Sequence, residues 1–235
     1  MDLLDRLAED PGRAAVFLDV DGVLAPIVPR PEDARVPDET REELRRLNER
    51  YALVACISGR AGTDAQRVVG VPELVYVGNH GLELDDRAIE WRGRLQQFLS
   101  DLDWPATENK GLTASLHYRN SEDEDAARAE LEDVKARAER AGLVARFGRK
   151  VLEVLPPVDA HKGTAVEKLL SDRKLRRALY AGDDTTDLDA FRALDGLDVS
   201  LRIAVVSEEG PIELREAADL TVERPDELLA VLRRL

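Results

Sequence analysis

Cysteine is nearly absent: Cys56 is the only one in 235 residues, so no intrachain disulfide can form. Its surroundings, Ala52-Leu-Val-Ala-Cys-Ile57, are apolar and strand-like, which favours a buried, inert thiol. Long apolar runs are absent too, and none approaches the roughly 18 residues that a membrane-spanning helix requires. The N-terminus Met1-Asp-Leu-Leu-Asp-Arg-Leu7 lacks the basic start and apolar centre of a secretory leader. A cytoplasmic protein with no membrane partner is expected. There are no internal repeats and no low-complexity segment. Positive charge is in deficit: 34 Lys and Arg face 48 Asp and Glu, a formal net charge of -14. That excludes nucleic acid or an anionic membrane as main partner, since both require a basic face. It also means that a phosphorylated substrate would need local cations to override a repelling field. The acidic run Glu122-Asp-Glu-Asp125 reads as a solvated helix start.

The chain is 43% hydrophobic, enough to bury a real core in one large domain or two small ones. Ala14 to Leu18 is a short apolar run ending near Gly22, which predicts a buried strand entering a turn. Pro37 opens a helix in which Leu44 and Leu47 recur at helical spacing. A second strand, Leu53 to Ile57, leads to Ser58-Gly-Arg60 and a helix around Asp64 to Val69. A third, Leu74 to Val77, ends at Gly78-Asn-His-Gly81. Strands alternating with helices predict a doubly wound parallel α/β sheet of the Rossmann-like kind. From Leu82 the pattern changes. Leu82-Glu-Leu84 and Ala88-Ile-Glu-Trp91 predict a hairpin around Asp85-Asp86. A helix over Leu95–Leu102 follows, then a strand over Leu112–Tyr118, a charged helix over Asp125–Ala141, and strands near Val144–Phe147 and Val151–Leu155. This strand-rich stretch predicts an inserted α+β domain with an antiparallel sheet, residues 82–156, packed by Trp91 and Trp104. Pro156-Pro157 marks its exit. The core, residues 1–81 and 157–235, then resumes with helix Gly163–Leu170, strand Ala178–Ala181, helix Thr186–Leu194, strand Ser200–Val206 and helix Glu227–Leu232.

Chemistry-bearing residues follow the core strands, where open parallel sheets place their ligands. Asp19 and Asp21 end the first strand, Ser58 and Arg60 the second, and Gly182-Asp-Asp-Thr-Thr-Asp187 the strand at Ala178; Lys162 opens a helix. Two carboxylates at the end of an apolar strand are costly unless paired or bound to metal. Taken singly, each segment has an ordinary alternative: Asp19-x-Asp21 a turn, Ser58-Gly a helix cap, Lys162 a surface lysine, and Asp183 with Asp187 an acidic helix start. Together they supply a carboxylate nucleophile, a second carboxylate for proton transfer, a hydroxyl, a lysine and an acidic metal site, which is what phosphoryl transfer requires. Magnesium, with its preference for oxygen ligands, suits Asp19 and Asp183.

These segments, in this order, resemble the haloacid dehalogenase superfamily over nearly the whole chain, and the insertion lies where that superfamily places its larger cap, the C2 type. Asp19-Val-Asp-Gly-Val-Leu-Ala-Pro-Ile-Val28, Ser58-Gly-Arg60, Gly78-Asn-His-Gly81, Lys110-Gly-x-x-x-Ser115-x-His-Tyr-Arg119, Val151-Leu-Glu-Val154 and Gly182-Asp-Asp-x-Thr-Asp-x-Asp-Ala-Phe191 resemble the trehalose-6-phosphate phosphatases. The resemblance implies Asp19 as nucleophile and magnesium ligand, and Asp21 as general acid and base with its backbone carbonyl on the metal. It implies Ser58 and Lys162 at the phosphate, Asp183 as the distal metal ligand, and Asp187 as a metal or supporting group. Arg60 is expected at the phosphate or in cap closure, with a surface ion-pairing role as the alternative. Asn79 and His80 are expected on the sugar or the closing cap, and Lys110 and Glu153 on sugar hydroxyls. His80 and His117 have structural roles as an alternative. Two departures stand out: Leu155 where the family often has Arg, and Leu188 where it often has an acid. The activity implied is hydrolysis of trehalose 6-phosphate through an aspartyl phosphate. The same mechanism on sucrose phosphate, a mannosyl phosphoglycerate or a pseudo-disaccharide phosphate is the near alternative, and a silent regulatory subunit the distant one. The chain has no room for a synthase domain, so a standalone monomeric phosphatase is expected, with a trehalose-phosphate synthase as a candidate partner.

Overall fold

The computed structural model describes residues 2–28, 30–119, 121–148, 150–207 and 210–235. The larger of two compact units comprises the chain up to Gly81 together with Ala160–Leu235; the smaller is Leu82–Asp159. Among the described residues no helix is long and apolar enough to cross a membrane.

In chain order the strands are β1 (Ala14–Leu18), β2 (Leu53–Ile57), β3 (Val75–Val77), β4 (Thr107–Asn109), β5 (Ala114–His117), β6 (Val144–Gly148), β7 (Val151–Leu155), β8 (Arg177–Gly182), β9 (Val199–Val205) and β10 (Leu220–Val222). The helices are α1 (Leu3–Ala8), α2 (Asp38–Arg50), α3 (Gly62–Val69), α4 (Asp86–Glu90), α5 (Arg92–Ser100), α6 (Glu124–Arg140), α7 (Lys162–Arg173), α8 (Asp187–Arg192), α9 (Ile212–Ala217) and α10 (Pro225–Leu232).

The larger unit holds a sheet in the order β10-β9-β8-β1-β2-β3, parallel throughout. Every residue of β1 and of β2 is buried, as expected of strands covered on both faces. Val16, Leu18, Val54, Cys56, Leu179 and Ile203 belong to one core with Leu44 and Leu47 of α2. The central register pairs Leu18 with Ala181 across β1 and β8, and Leu18 with Cys56 across β1 and β2. The residues that follow β1, β2 and β8 therefore leave the sheet side by side.

The smaller unit holds an antiparallel sheet in the order β4-β5-β7-β6. Its burial alternates along β7, and Leu116, Leu152 and Val154 pack with Leu131 and Val134 of α6. Asp123 caps α6, its carboxylate accepting from the Asp125 and Ala126 amides, so the acidic run is a helix start. The expected hairpin around Asp85-Asp86 is not formed. Residues Asn79–Leu84 make a 3-10 segment broken at His80 and Gly81, and α4 follows. Asp85 is the reason: its carboxylate accepts from the Arg87 amide and caps a helix where a hairpin turn was expected. The short strands β4 and β10 and the helix α9 were not expected from the sequence.

Candidate active site

Asp19 is the first residue beyond β1, and its amide donates to the Ala181 carbonyl at 2.9 Å, extending the β1–β8 pairing by one step. Its carboxylate is almost fully buried. Oδ1 accepts from the Val20 amide at 2.6 Å and Oδ2 from Lys162 Nζ at 2.5 Å. Lys162 is only 2% exposed, the opposite of a surface lysine. It is the first residue of α7, where a cation opposes the helix dipole, so its burial there needs compensation. Two carboxylates provide it: Asp19, and Asp187 Oδ1 at 2.7 Å. Burial opposes protonation of Lys162, but the charges of Asp187 and Asp19 prevail and hold the ammonium above its ordinary range.

Asp187 opens α8 and is completely buried. Its Oδ1 also accepts from the Tyr180 hydroxyl at 2.7 Å, and its Oδ2 from the amides of Asp183 and Asp184 at 2.9 and 3.0 Å. Four donors on two oxygens make Asp187 the brace of the Asp183 loop and of Lys162. No sequence motif above points to Tyr180. The signal was available, since a tyrosine inside an apolar strand needs a partner for its hydroxyl.

Asp183 completes the cluster: one ligand atom from each of Asp19, Asp183 and Asp187 lies within 4.8 Å of the others. Burial, reinforced by the charges of Asp19 and Asp187, pushes Asp183 up to about 8. Burial likewise pushes Asp19 up to about 7, against the pull of Lys162. Two buried carboxylates and a half-buried third around one ammonium leave net negative charge in a poorly solvated site, and all the carboxylate donors are hard oxygens. That set suits a hard divalent cation. Gly22 allows the approach: it has φ +76°, and a Cβ there would collide with the Asp183 carboxylate.

Ser58 extends β2, donating its amide to the Val77 carbonyl, and its hydroxyl accepts from the Arg60 amide at 3.2 Å. The Asn79 amide donates to the Arg60 carbonyl and the His80 amide to the Ser58 carbonyl, at 2.7 and 2.9 Å. Asn79 and His80 both have left-handed backbone, at φ 52° and 55°. The His80 ring lies 2.6 Å from where a Cβ on residue 59 would be, so the middle of Ser58-Gly-Arg60 must be glycine. The Gly78-Asn-His-Gly81 turn thus braces the Ser58 loop.

Arg60 forms ion pairs, the alternative to a phosphate role. Its guanidinium forks across both oxygens of Asp21 at 2.7 Å each and binds Asp64 at 2.6 Å. A carboxylate two residues beyond Asp19 thus takes up the Arg60 charge in a two-point, charge-assisted pair. Cys56 is buried as expected, and burial, aided by the Asp19 charge, pushes its thiol up.

Lys110 and Glu153 belong to the smaller unit. Glu153 on β7 faces Ser115 on β5 and Arg146 on β6, and Glu108 on β4 faces Ser115. Arg146 Nε donates to Glu153 at 3.2 Å, and Glu108 lies 3.8 Å from Lys110 and 3.3 Å from His117. The two expected residues are thus part of a polar row across one face of this sheet. Glu108 and Arg146 were not singled out in the sequence because β4 was not expected and Arg146 shares no local motif with Glu153.

The family profile described as trehalose-phosphatase matches residues 17–223. A protein named probable trehalose-phosphate phosphatase 2, from Oryza sativa subsp. japonica, is 30% identical over 95% of this chain and 68% of its own length. A trehalose-phosphate phosphatase from Mycobacterium avium is 36% identical over 77% of this chain and 51% of its own. A solved structure described as a trehalose-6-phosphate phosphatase related protein superimposes with TM-score 0.72 at 24% identity, covering 93% of this chain and 95% of that one, a likeness of fold. The chain spans about two thirds of the plant relatives it matches and about half of the mycobacterial one.

Proposed function

The chain belongs to the trehalose-phosphatase family, phosphoric monoester hydrolases built on the haloacid dehalogenase fold, and from that premise we propose that it hydrolyses trehalose 6-phosphate to trehalose and phosphate. The observation that carries the proposal is the buried cluster in which Lys162 bridges Asp19 and Asp187 beside Asp183. A buried lysine between two buried carboxylates, with a half-buried third beside them, has little purpose in stability alone, because desolvating such charges opposes folding.

Asp19 is the nucleophile. One carboxylate oxygen attacks phosphorus in line, and the bond from phosphorus to the sugar oxygen breaks with its electron pair leaving on that oxygen. Asp21 gives the leaving oxygen a proton. It then takes a proton from the water that attacks phosphorus of the aspartyl phosphate, releasing inorganic phosphate and restoring Asp19. Lys162 keeps Asp19 oriented and supplies positive charge where phosphate oxygens gather, and the Ser58 hydroxyl is a further donor to them. Asp187 acts through Lys162 and the Asp183 loop. Asp19 and Asp183, with the Asp21 carbonyl, would hold magnesium, which when bound neutralises phosphate charge so that two anions can approach. Lys110 and Glu153, with the polar row around them, are assigned to sugar hydroxyls, because a site built to hydrogen-bond hydroxyls rejects isomers that leave its groups unpaired.

Phosphate release measured with magnesium across trehalose 6-phosphate, sucrose phosphate, a mannosyl phosphoglycerate and glucose 6-phosphate tests the substrate. Trehalose 6-phosphate should lead in kcat/KM by at least about 100-fold. Equal rates across the panel would contradict the specificity, and no release from any of them would contradict the enzyme.

A further inference from the structure

Arg60 is held at every polar atom of its guanidinium. Nε reaches Asp21 Oδ2 and Nη2 reaches Oδ1, each at 2.7 Å, a planar two-point fork. Behind the fork, Nη1 donates to Asp64 Oδ2 at 2.6 Å and Nη2 to the Pro31 carbonyl at 3.1 Å. Asp64 is itself fixed by Arg67, whose Nε donates to Oδ1 at 2.8 Å. The backbone is equally tied: the Arg60 amide donates to Ser58 Oγ and its carbonyl accepts from Asn79. The Arg60 side chain is 10% exposed whereas that of Asp21 is 42% exposed. A rigid, buried fork therefore presents a carboxylate whose outer edge remains open. Bidentate guanidinium–carboxylate pairs fix orientation as well as charge, and a lysine cannot reproduce the first.

We propose that Arg60 is a positioning residue for the acid–base carboxylate, orienting Asp21 at the rim of the Asp19–Lys162–Asp183 cluster for proton delivery to the leaving sugar oxygen. The proposal rests on the reading of Asp21 as general acid and goes beyond it, because it makes the Ser58-Gly-Arg60 loop serve both halves of the chemistry. Ser58 serves the phosphate and Arg60 the proton. Asp64 becomes part of the apparatus as the post on which Arg60 is mounted.

A leaving-group comparison separates positioning from a merely structural role. A sugar alkoxide leaves poorly and needs the proton; p-nitrophenolate leaves well and needs it little. Single-turnover rates of phosphoryl transfer should be measured on trehalose 6-phosphate and on p-nitrophenyl phosphate for the wild type, Asp21→Asn, Arg60→Ala, Arg60→Lys and Asp64→Asn, with circular dichroism to check the fold. Arg60→Ala is expected to lose at least about tenfold more on the sugar phosphate than on the aryl phosphate, in the same direction as Asp21→Asn. Arg60→Lys should recover little of that gap, since charge without the fork does not orient. Asp64→Asn keeps Arg60 in place and should show a smaller gap of the same sign, which keeps the test alive if Arg60→Ala does not fold. Equal losses on both substrates in the Arg60 and Asp64 variants, with a clear gap in Asp21→Asn, would overturn the positioning role alone. No gap in Asp21→Asn would overturn the acid assignment itself, and the positioning role with it.

Discussion

The two sheets of this protein use polar residues in opposite ways. In the larger unit, β1 and β2 are buried on both faces, so no side chain within them can carry exposed chemistry. Their reactive groups lie just beyond the last residues, Asp19 after Leu18 and Ser58 after Ile57, where the register of a parallel sheet gathers them. In the smaller unit, β7 alternates buried and half-buried residues, and its polar groups sit within the strands as a row from Glu108 through Ser115 and Glu153 to Arg146. This parallel sheet gathers its charged groups just beyond the ends of interior strands, where burying them is costly. A one-sided antiparallel sheet spreads polar groups over a face at little cost. The first arrangement suits bond breaking, the second recognition.

That contrast predicts that substitutions in the two sheets fail differently. The largest effect belongs to Asp19→Asn, which should lower phosphate release by at least about 10⁴-fold while leaving the circular dichroism spectrum intact. Residual activity above about a hundredth of wild type would show that the end of β1 does not hold the nucleophile. Lys162→Met removes the ammonium from between Asp19 and Asp187 and strands buried carboxylates. It should cost about 3–5 kcal/mol in denaturant unfolding in addition to most of the activity. A change below about 1 kcal/mol would mean that the cluster is far better hydrated than its burial implies.

Glu153→Gln in the smaller unit should do the reverse. Its partner Arg146 is exposed, so stability should change by less than about 1 kcal/mol. On the proposed reading kcat/KM for the sugar phosphate should fall about tenfold to a hundredfold, with p-nitrophenyl phosphate little affected. A comparable loss on both substrates would erase the distinction between the sheets.

Proton linkage gives the smallest effect. Burial pushes Asp183 up to about 8 and Asp19 up to about 7, whereas unfolded aspartates ionise near 4. The folded state therefore binds more protons than the unfolded state between about pH 4 and 8, and these two groups make the metal-free protein less stable as pH rises through that window. Magnesium binds the ionised carboxylates, so it competes with protons at pH 6 and much less at pH 8. The rise in Tm on adding magnesium should be larger at pH 8 than at pH 6, and an equal rise would contradict a direct carboxylate site.

How far the sequence could be read follows from the same contrast. Strands such as Leu53–Ile57 are continuous apolar runs and were legible, as was the order of Asp19, Ser58, Lys162 and Asp183 along the chain. The three-residue strands β4, Thr-Glu-Asn, and β10, Leu-Thr-Val, carry too little pattern to register. Asp85 was legible as a turn residue but not as a helix cap, because the apolar residues on either side fit both periods. Arg60 was visible as a motif residue, yet its partner Asp21 lies 39 positions earlier, and only the folded register of β1 and β2 shows that the two pair. Asp187 was legible as an acid, but its four donors come from the loop before it, from β8 and from α7.

The central claim is that Asp19 is phosphorylated. The direct measurement is to mix the enzyme with magnesium and trehalose 6-phosphate, quench in acid, reduce with borohydride and map the peptides by mass spectrometry. Phosphorylation of Asp19 predicts conversion of that residue alone to homoserine, dependent on substrate. Conversion at Asp21, Asp183 or Asp187 would contradict the assignment, and so would no conversion during active turnover.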